Sequence, residues 1–169
     1  MMRSAHRVLY FTLAFAVGCG SDDVDLTGVY RVDADVASMP CGADQPVMTP
    51  PPYLKFEQNE IFGSKYYSML ECSDEAATNC SGGGLFGDSF AEPIDGGWRG
   101  VISSASGTTS CYYSFLEQTA KVDGMKLVVD SNEYSEMTAD ATNCTAEEAE
   151  KRGKTMPCTT HERIDATKL

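Results

Sequence analysis

The cysteine side chains carry the clearest chemistry in this sequence. The chain has 169 residues and seven cysteines, six of which lie beyond residue 40. An even number of cysteines in a domain that folds outside the reducing cytosol predicts a disulfide framework, here of three bridges. No two cysteines are spaced Cys-x-x-Cys, so we expect no zinc site. The six cysteines are Cys41, Cys72, Cys80, Cys111, Cys144 and Cys158.

Proximity along the chain selects one pairing from the fifteen that six cysteines allow. Cys72 and Cys80 flank a short polar loop, and Cys144 and Cys158 flank a predicted helix. Cys41 and Cys111 then remain for each other. The predicted disulfides are therefore Cys41–Cys111, Cys72–Cys80 and Cys144–Cys158, each contributing about 2–4 kcal/mol of stability.

Histidine is the first candidate for a catalytic base, and His161 is the only one beyond residue 6. His161, Arg163 and Asp165 alternate along the chain, which predicts that they share one face of a strand. A hydrolase would use His161 as base, with Asp165 or Glu162 orienting it. The sequence has no Gly-x-Ser-x-Gly motif. We therefore predict a solvated face of alternating charges, no catalytic residue, no enzyme activity and no cofactor.

Acidic side chains dominate the charge of this chain. Asp and Glu number 25 against 13 Lys and Arg, and the formal net charge is −12. Such a surface repels nucleic acid, which excludes that class of partner, and it suits a cationic partner or divalent ions. Asp130, Asn132 and Glu133 carry oxygen ligands of the kind that calcium prefers, but the segment lacks the glycine and distal glutamate of an EF-hand loop. We predict a turn after a strand, and no metal site.

Short strands separated by turns must position these side chains. Alternating apolar residues predict strands near residues 26–33, 53–57, 61–72, 98–103, 109–120, 125–129 and 158–168. Asp123-Gly124 between two such runs predicts a type I′ hairpin. The order of the strands predicts an all-β fold, an antiparallel meander that closes as an up-and-down barrel of about eight strands.

One short helix is predicted late in the chain. Thr145 and Glu148 have the spacing of a capping box, with Thr145 as the N-cap. Glu147 with Lys151, and Glu148 with Arg152, are spaced as ion pairs on a helix. Gly153 is expected to end it.

The start of the first strand, Gly28-x-Tyr30, resembles the Gly-x-Trp motif of lipocalins. The resemblance implies a barrel that carries a small apolar or amphipathic ligand. In such a barrel we expect a cavity lined by Trp98, Tyr113, Phe115 and Leu127.

The first twenty residues have the pattern of a secretory targeting signal. Arg3 and Arg7 precede an apolar run of about ten residues, which is too short for a membrane span of about 20 residues. Its exit, Ala16-Val17-Gly18-Cys19, resembles the lipobox of bacterial lipoproteins. The resemblance implies diacylglycerol on the Cys19 sulfur, cleavage before Cys19 and acylation, for example with palmitate, of the new amino group. Gly20, where inner-membrane lipoproteins have Asp, implies the outer membrane. An ordinary cleaved signal would instead leave Cys19 as a thiol or a disulfide partner.

These observations divide the chain into three parts: a signal peptide at 1–18 that is removed, a lipidated cysteine and tether at 19–25, and a single β domain at 26–169. The pattern also resembles small, uncharacterised, cysteine-containing lipoproteins of Gram-negative bacteria. We predict a lipid-anchored, non-enzymatic envelope lipoprotein, held to the membrane through acyl chains on Cys19, that binds an envelope protein on the surface or in the periplasm. The lipocalin-like carrier is one alternative. A hydrolase or enzyme inhibitor stabilised by disulfides is the other.

Overall fold

The computed structural model describes residues 24–82 and 89–169; Cys19, the predicted signal peptide and most of the predicted tether lie outside them. The described chain forms eleven strands, one α-helix and a 3₁₀ turn at Gly153–Thr155. The helix, α1, is Ala146–Arg152. The strands are β1 Gly28–Ser38, β2 Gln45–Pro46, β3 Tyr53–Ile61, β4 Ser64–Cys72, β5 Cys80–Gly82, β6 Ser89–Phe90, β7 Glu92–Ile94, β8 Gly97–Ser106, β9 Cys111–Asp123, β10 Lys126–Thr138 and β11 Cys158–Lys168.

All the strand pairs are antiparallel, and the hydrogen-bonded order is β5-β4-β3-β1-β11-β10-β9-β8-β7. Because most neighbours in this order are also consecutive in the chain, the sheet is a meander whose last long strand returns to pair with the first. The predicted all-β, antiparallel class is confirmed. The closed barrel remains a prediction, because this order has ends at β5 and β7.

A short segment brings the two sides of the sheet close together. Ser89 and Phe90 of β6 pair with β4. Glu92–Ile94 of β7, two residues further on, pair with β8. The sheet therefore curls around one apolar cluster that receives side chains from eight strands. We call the face that carries this cluster the inner face; its buried members are Leu26, Tyr30, Leu54, Phe56, Tyr67, Met69, Phe90, Trp98, Ala120, Leu127, Val129, Ile164 and Ala166.

A second, smaller cluster lies on the outer face of β8, β9 and β10. Cys111, Tyr113 and Phe115 are odd-numbered residues of β9, whereas inner-face Ala120 is even-numbered, and no bulge interrupts the pairing of β9 with β10. Side chains alternate between the faces of a strand, so these two sets point in opposite directions. Ala149 of α1 and Met156 cover the outer cluster. The helix therefore makes a second core on the side of the sheet that would otherwise face water.

The helix begins and ends where the sequence predicts. The Thr145 hydroxyl accepts a hydrogen bond from the Glu148 backbone N–H, at 3.2 Å. The predicted pairs Glu147–Lys151 and Glu148–Arg152 are formed, at 3.0 and 3.2 Å. Gly153 ends the helix with a positive φ of 43°.

Three disulfides are present, but only Cys72–Cys80 has its predicted partner. The predicted Cys41–Cys111 and Cys144–Cys158 pairings are wrong: the bridges are Cys41–Cys158 and Cys111–Cys144. Ser38 pairs with His161 in the β1–β11 ladder, and continuing that register by three residues places Cys41 opposite Cys158. Cys144, just before α1, lies over the start of β9 because the helix packs across β8 and β9. Sheet topology, not distance along the chain, determines these partners.

Two ends of the sheet differ in their connections. The tight turns 61–64, 94–97 and 123–126 lie at one end, because successive strands alternate in direction. Val24, where the described chain begins, lies at this end too: its carbonyl accepts a 2.6 Å hydrogen bond from the Trp98 indole, near the start of β8. The long connections, α1 and all three disulfides lie at the other end. We call these the hairpin end and the disulfide end.

Candidate functional site

The four residues predicted to line a ligand cavity do not share one. Trp98 and Leu127 belong to the inner apolar cluster, whereas Tyr113 and Phe115 belong to the outer cluster under α1. All four are buried, with at most 4% of any of them exposed. The prediction of one cavity places Tyr113 and Phe115 on the same face of the sheet as Trp98 and Leu127, and this is wrong. These two side chains lie on the outer face of β9, where α1 covers them and forms a separate apolar cluster with them.

A different concavity lies on the inner face toward the disulfide end. It has a volume of about 230 Å³ and is lined from three neighbouring strands, β9, β10 and β11. Register joins its residues into one patch, because Leu116 lies opposite Glu133 and Gln118 lies opposite Ser131. Its lining is polar, in contrast to the apolar cluster on the same face of the sheet. We call it the polar cavity; its residues are Leu116, Gln118, Ser131, Glu133, Thr160 and Glu162.

Negative charge and hydrogen-bonding groups characterise the polar cavity. The Glu133 carboxylate accepts a hydrogen bond of 3.1 Å from the Ser114 hydroxyl. Gln118 is buried, with 5% of its surface exposed. Glu162 brings a second carboxylate from β11. Two carboxylates beside an amide and hydroxyls can bind an ammonium or guanidinium group through charge-assisted hydrogen bonds.

Asp35 adds a buried carboxyl group near the same end. It is 6% exposed, and its Oδ1 atom has no hydrogen-bond partner among the described residues. Burial, together with the negative charge of Glu71, raises the pKa of Asp35. An ionised Asp35 is therefore unfavourable in the folded protein unless a positive charge comes near it.

His161 lies on the outer face and is held between two carboxylates. Its Nδ1 atom lies 2.8 Å from Asp44 and its Nε2 atom lies 3.2 Å from Asp130. These hydrogen bonds, the one to Asp44 first, raise the pKa of His161. Both ring nitrogens are thus engaged, which leaves neither for proton abstraction from a nucleophile. The contacts of His161 with Asp44 and Asp130 join the 38–47 connection to β10 and β11.

The predicted catalytic alternative is not assembled on this strand. Arg163 and Asp165 share the outer face with His161, as predicted, but they pair with each other at 2.9 Å. Glu162, the other proposed orienting group, lines the polar cavity on the inner face. Asp130 and Asn132, considered as calcium ligands, bond to each other at 2.8 Å. Within residues 24–82 and 89–169, no group of three or more His, Cys, Asp and Glu side chains is placed to hold a metal ion.

The two ends of the sheet also differ in charge. In the ranges 24–33, 55–66, 94–98, 120–128 and 166–169, which form the hairpin end, six acidic residues are balanced by six basic ones. In the ranges 34–52, 71–80, 106–114 and 130–163, which form the disulfide end, thirteen acidic residues face four basic ones. The described part of the chain therefore carries most of its excess negative charge at the disulfide end.

Sequence reasoning missed the polar cavity, because its residues are single polar positions on three different strands. Only the β9–β10–β11 register brings them together. It also missed Phe62, a fully exposed aromatic side chain at the tip of the β3–β4 hairpin. The signal was present in the dipeptide Phe62-Gly63, which is placed between two alternating runs as a two-residue turn would be.

Comparisons with known proteins yield no match: no family model, no curated protein and no solved structure matches this chain. No α-helix in the described ranges has both the length and the apolar character needed to cross a bilayer.

Proposed function

We propose that this protein is a lipid-anchored, non-enzymatic binding module of the bacterial cell envelope. It is attached to the membrane through acyl chains on Cys19, and its disulfide end faces away from the membrane. The observation that carries the proposal is the separation of charge. The chain from Cys19 enters the fold at the electrically balanced end. The acidic end, with its three disulfides, is then presented away from an anionic membrane, where a cationic partner protein is attracted to it.

Membrane fractionation tests the anchor. Wild-type protein should float with membranes, and Cys19→Ser should be released into the soluble fraction. Gly20→Ser, which changes the neighbouring residue but keeps the thiol, is the matched control and should stay with membranes. A Cys19→Ser protein that remains membrane-bound would contradict the anchor.

The same position tests the choice of membrane. Gly20→Asp should move the protein from the outer to the inner membrane, whereas Gly20→Ser should leave it in the outer membrane. Separation of the two membranes on a sucrose gradient measures the distribution. An unchanged distribution for Gly20→Asp would show that residue 20 does not direct sorting in this host.

The polar cavity favours a second candidate function, the binding of a small cationic ligand. Its volume of about 230 Å³ suits a small molecule, and Glu133 and Glu162 supply carboxylates. This revises the carrier alternative: the ligand would be a cationic amine and not an apolar molecule. Native mass spectra of the Cys19→Ser body, purified from its host, would show a small-molecule adduct that is lost on unfolding.

Titration with putrescine as a defined probe makes this second candidate quantitative. Glu133→Gln and Glu162→Gln should each weaken putrescine binding roughly tenfold, because each removes one charge-assisted contact. Glu147→Gln, which neutralises an exposed carboxylate on α1, is the control and should change binding little. Equal affinities in all three variants would place the amine outside the cavity.

A further inference from the structure

Phe62 occupies a position that folding alone does not favour. Ile61 pairs with Ser64, so Phe62 and Gly63 form a two-residue turn, and both have positive φ, 49° and 82°. This is the pattern of a type I′ turn, which Asn-Gly or Asp-Gly adopts readily. A bulky residue with positive φ is strained, because its Cβ atom crowds the backbone. Burial of the Phe62 ring does not offset this strain, because the side chain is fully exposed, at 102%.

The tip of this hairpin lies at the end where the anchored chain enters the fold. The Tyr67 hydroxyl, on the strand that follows the turn, donates to Asp25 at 3.3 Å. Four residues separate Cys19 from Val24, so the two Cα atoms are five steps apart along the chain, and five extended steps span at most about 18 Å. A lipidated Cys19 would therefore keep the hairpin end within about 18 Å of the lipid surface.

The surroundings of Phe62 are compatible with that surface. Ile61 and Val101 are 37% and 36% exposed and line a shallow concavity of about 270 Å³ beside the turn. Met125, in the β9–β10 turn at the same end, is 61% exposed. The balanced charge of the hairpin end removes the repulsion that anionic head groups would exert on the acidic end. Lysines there also have long apolar stems that can lie along a bilayer interface; they are Lys55, Lys65, Lys121, Lys126 and Lys168.

We propose that the hairpin end rests on the membrane and that the Phe62 side chain inserts into the interfacial region of the lipid. This inference rests on the proposed acylation of Cys19, because a single phenylalanine holds a protein to a bilayer too weakly alone. The acyl chains supply the affinity, and Phe62 sets the orientation. An orientation set in this way keeps the disulfide end directed outward.

Tryptophan fluorescence can test the insertion. Phe62→Trp places a fluorescent reporter at the tip of the hairpin, and tryptophan must adopt the same positive φ there as phenylalanine. Met137→Trp is the matched control, because Met137 is 71% exposed and lies at the disulfide end. Both variants keep Trp98, which is 3% exposed and serves as the common background. Each acylated protein is reconstituted into phosphatidylethanolamine–phosphatidylglycerol vesicles with and without dibrominated phosphatidylcholine.

We expect Phe62→Trp to be quenched by the brominated lipid roughly threefold more than Met137→Trp, as for a side chain that reaches the acyl boundary. Its emission should also move to shorter wavelength on the vesicles. Vesicle flotation of the same samples measures the anchor separately. Protein that fails to float contradicts the acylation at Cys19. Protein that floats, but shows equal quenching in both variants, overturns the insertion while the anchor stands.

Binding of a second protein at the hairpin end, in place of the membrane, would give a different result. A photo-cross-linking amino acid at position 62 in the host would then form a discrete adduct with a second protein. If that adduct forms and the brominated lipid leaves Phe62→Trp unquenched, the hairpin end binds a protein and the lipid proposal is wrong.

Discussion

The hairpin end and the disulfide end of this molecule are held together by different means. At the hairpin end, apolar side chains fill the inner face, with Leu26 and Tyr30 completely buried. Toward the disulfide end, the inner face carries Gln118, Glu133 and Glu162, so it gains little from apolar burial. Covalent bridges and the outer cluster under α1 are found there instead. A sheet can therefore keep a polar inner face at one end if disulfides and a packed outer face stabilise that end.

The largest expected effect comes from removing a bridge at the disulfide end. Cys41 and Cys158 are 117 residues apart, whereas Cys72 and Cys80 are eight apart. In the chain-entropy model, loss of the long loop costs about 4–5 kcal/mol and loss of the short one about 2–3 kcal/mol. Urea unfolding of the two double-serine variants measures both costs. Equal losses of unfolding free energy would show that Cys41–Cys158 does not stabilise the fold through the length of the loop that it closes.

Leu26→Ala tests the hairpin end in the same way. Leu26 is completely buried, and its carbonyl accepts a 2.8 Å hydrogen bond from the Tyr30 hydroxyl. Truncating a buried leucine leaves a cavity and should lower the free energy of unfolding by about 3 kcal/mol. Met125→Ala, at an exposed position of the same end, is the control and should change it little. If Leu26→Ala also changes it little, apolar packing does not hold the hairpin end.

Asp35→Asn should stabilise the protein at neutral pH. The pKa of Asp35 is raised, so its ionised form weakens the fold above that pKa, and the penalty is absent at pH values below the ordinary pKa of 3.8. We expect the free energy of unfolding to rise by about 1 kcal/mol at pH 7, and this gain should become smaller as the pH falls. Glu71→Gln should give a smaller gain of the same sign, because it removes only the neighbouring charge. Unfolding at pH 4 and pH 7 measures both; a loss of stability in Asp35→Asn would mean that the carboxylate has a favourable partner.

The smallest effect concerns His161 and the pH dependence of stability. Because its pKa is raised in the fold above the ordinary 6.5, its contribution is complete below pH 6.5 and is lost as the pH rises through the raised value. The partners are partly exposed, so we expect only a few tenths of a kcal/mol. His161→Gln should flatten the fall in unfolding free energy between pH 6 and pH 8. An identical slope in the variant would show that the His161 contacts do not persist in solution.

The sequence predicted the local features of this fold well. Alternation identified the long strands, and the capping residue Thr145 located the helix, because these features depend on neighbours in the chain. The turn type was predicted less well. Asp123-Gly124 was expected to form a type I′ turn, but Asp123 pairs with Lys126, so the two turn residues are Gly124 and Met125. Met125 lacks the positive φ that a type I′ turn requires. The positive-φ pair is Phe62 and Gly63 instead.

The non-local features were the ones that could not be predicted. The Cys41–Cys158 bridge depends on the pairing of the first strand with the last, and the polar cavity depends on the register of three strands. Tyr113 and Phe115 face α1 because a helix of seven residues with a single buried alanine still covers the strand beneath it. Sequence spacing contains no information about which face a late helix will cover.

The orientation of the molecule on the membrane is the central claim, and lysine footprinting tests it most directly. Acylated protein on vesicles is compared with the Cys19→Ser body in solution, and the acetylation rate of each lysine is measured by mass spectrometry. We predict slower acetylation of Lys65, Lys121 and Lys126 on vesicles, with Lys151 and Lys154 unchanged. Equal rates at every lysine, or slowing confined to Lys151 and Lys154, would contradict a membrane-facing hairpin end.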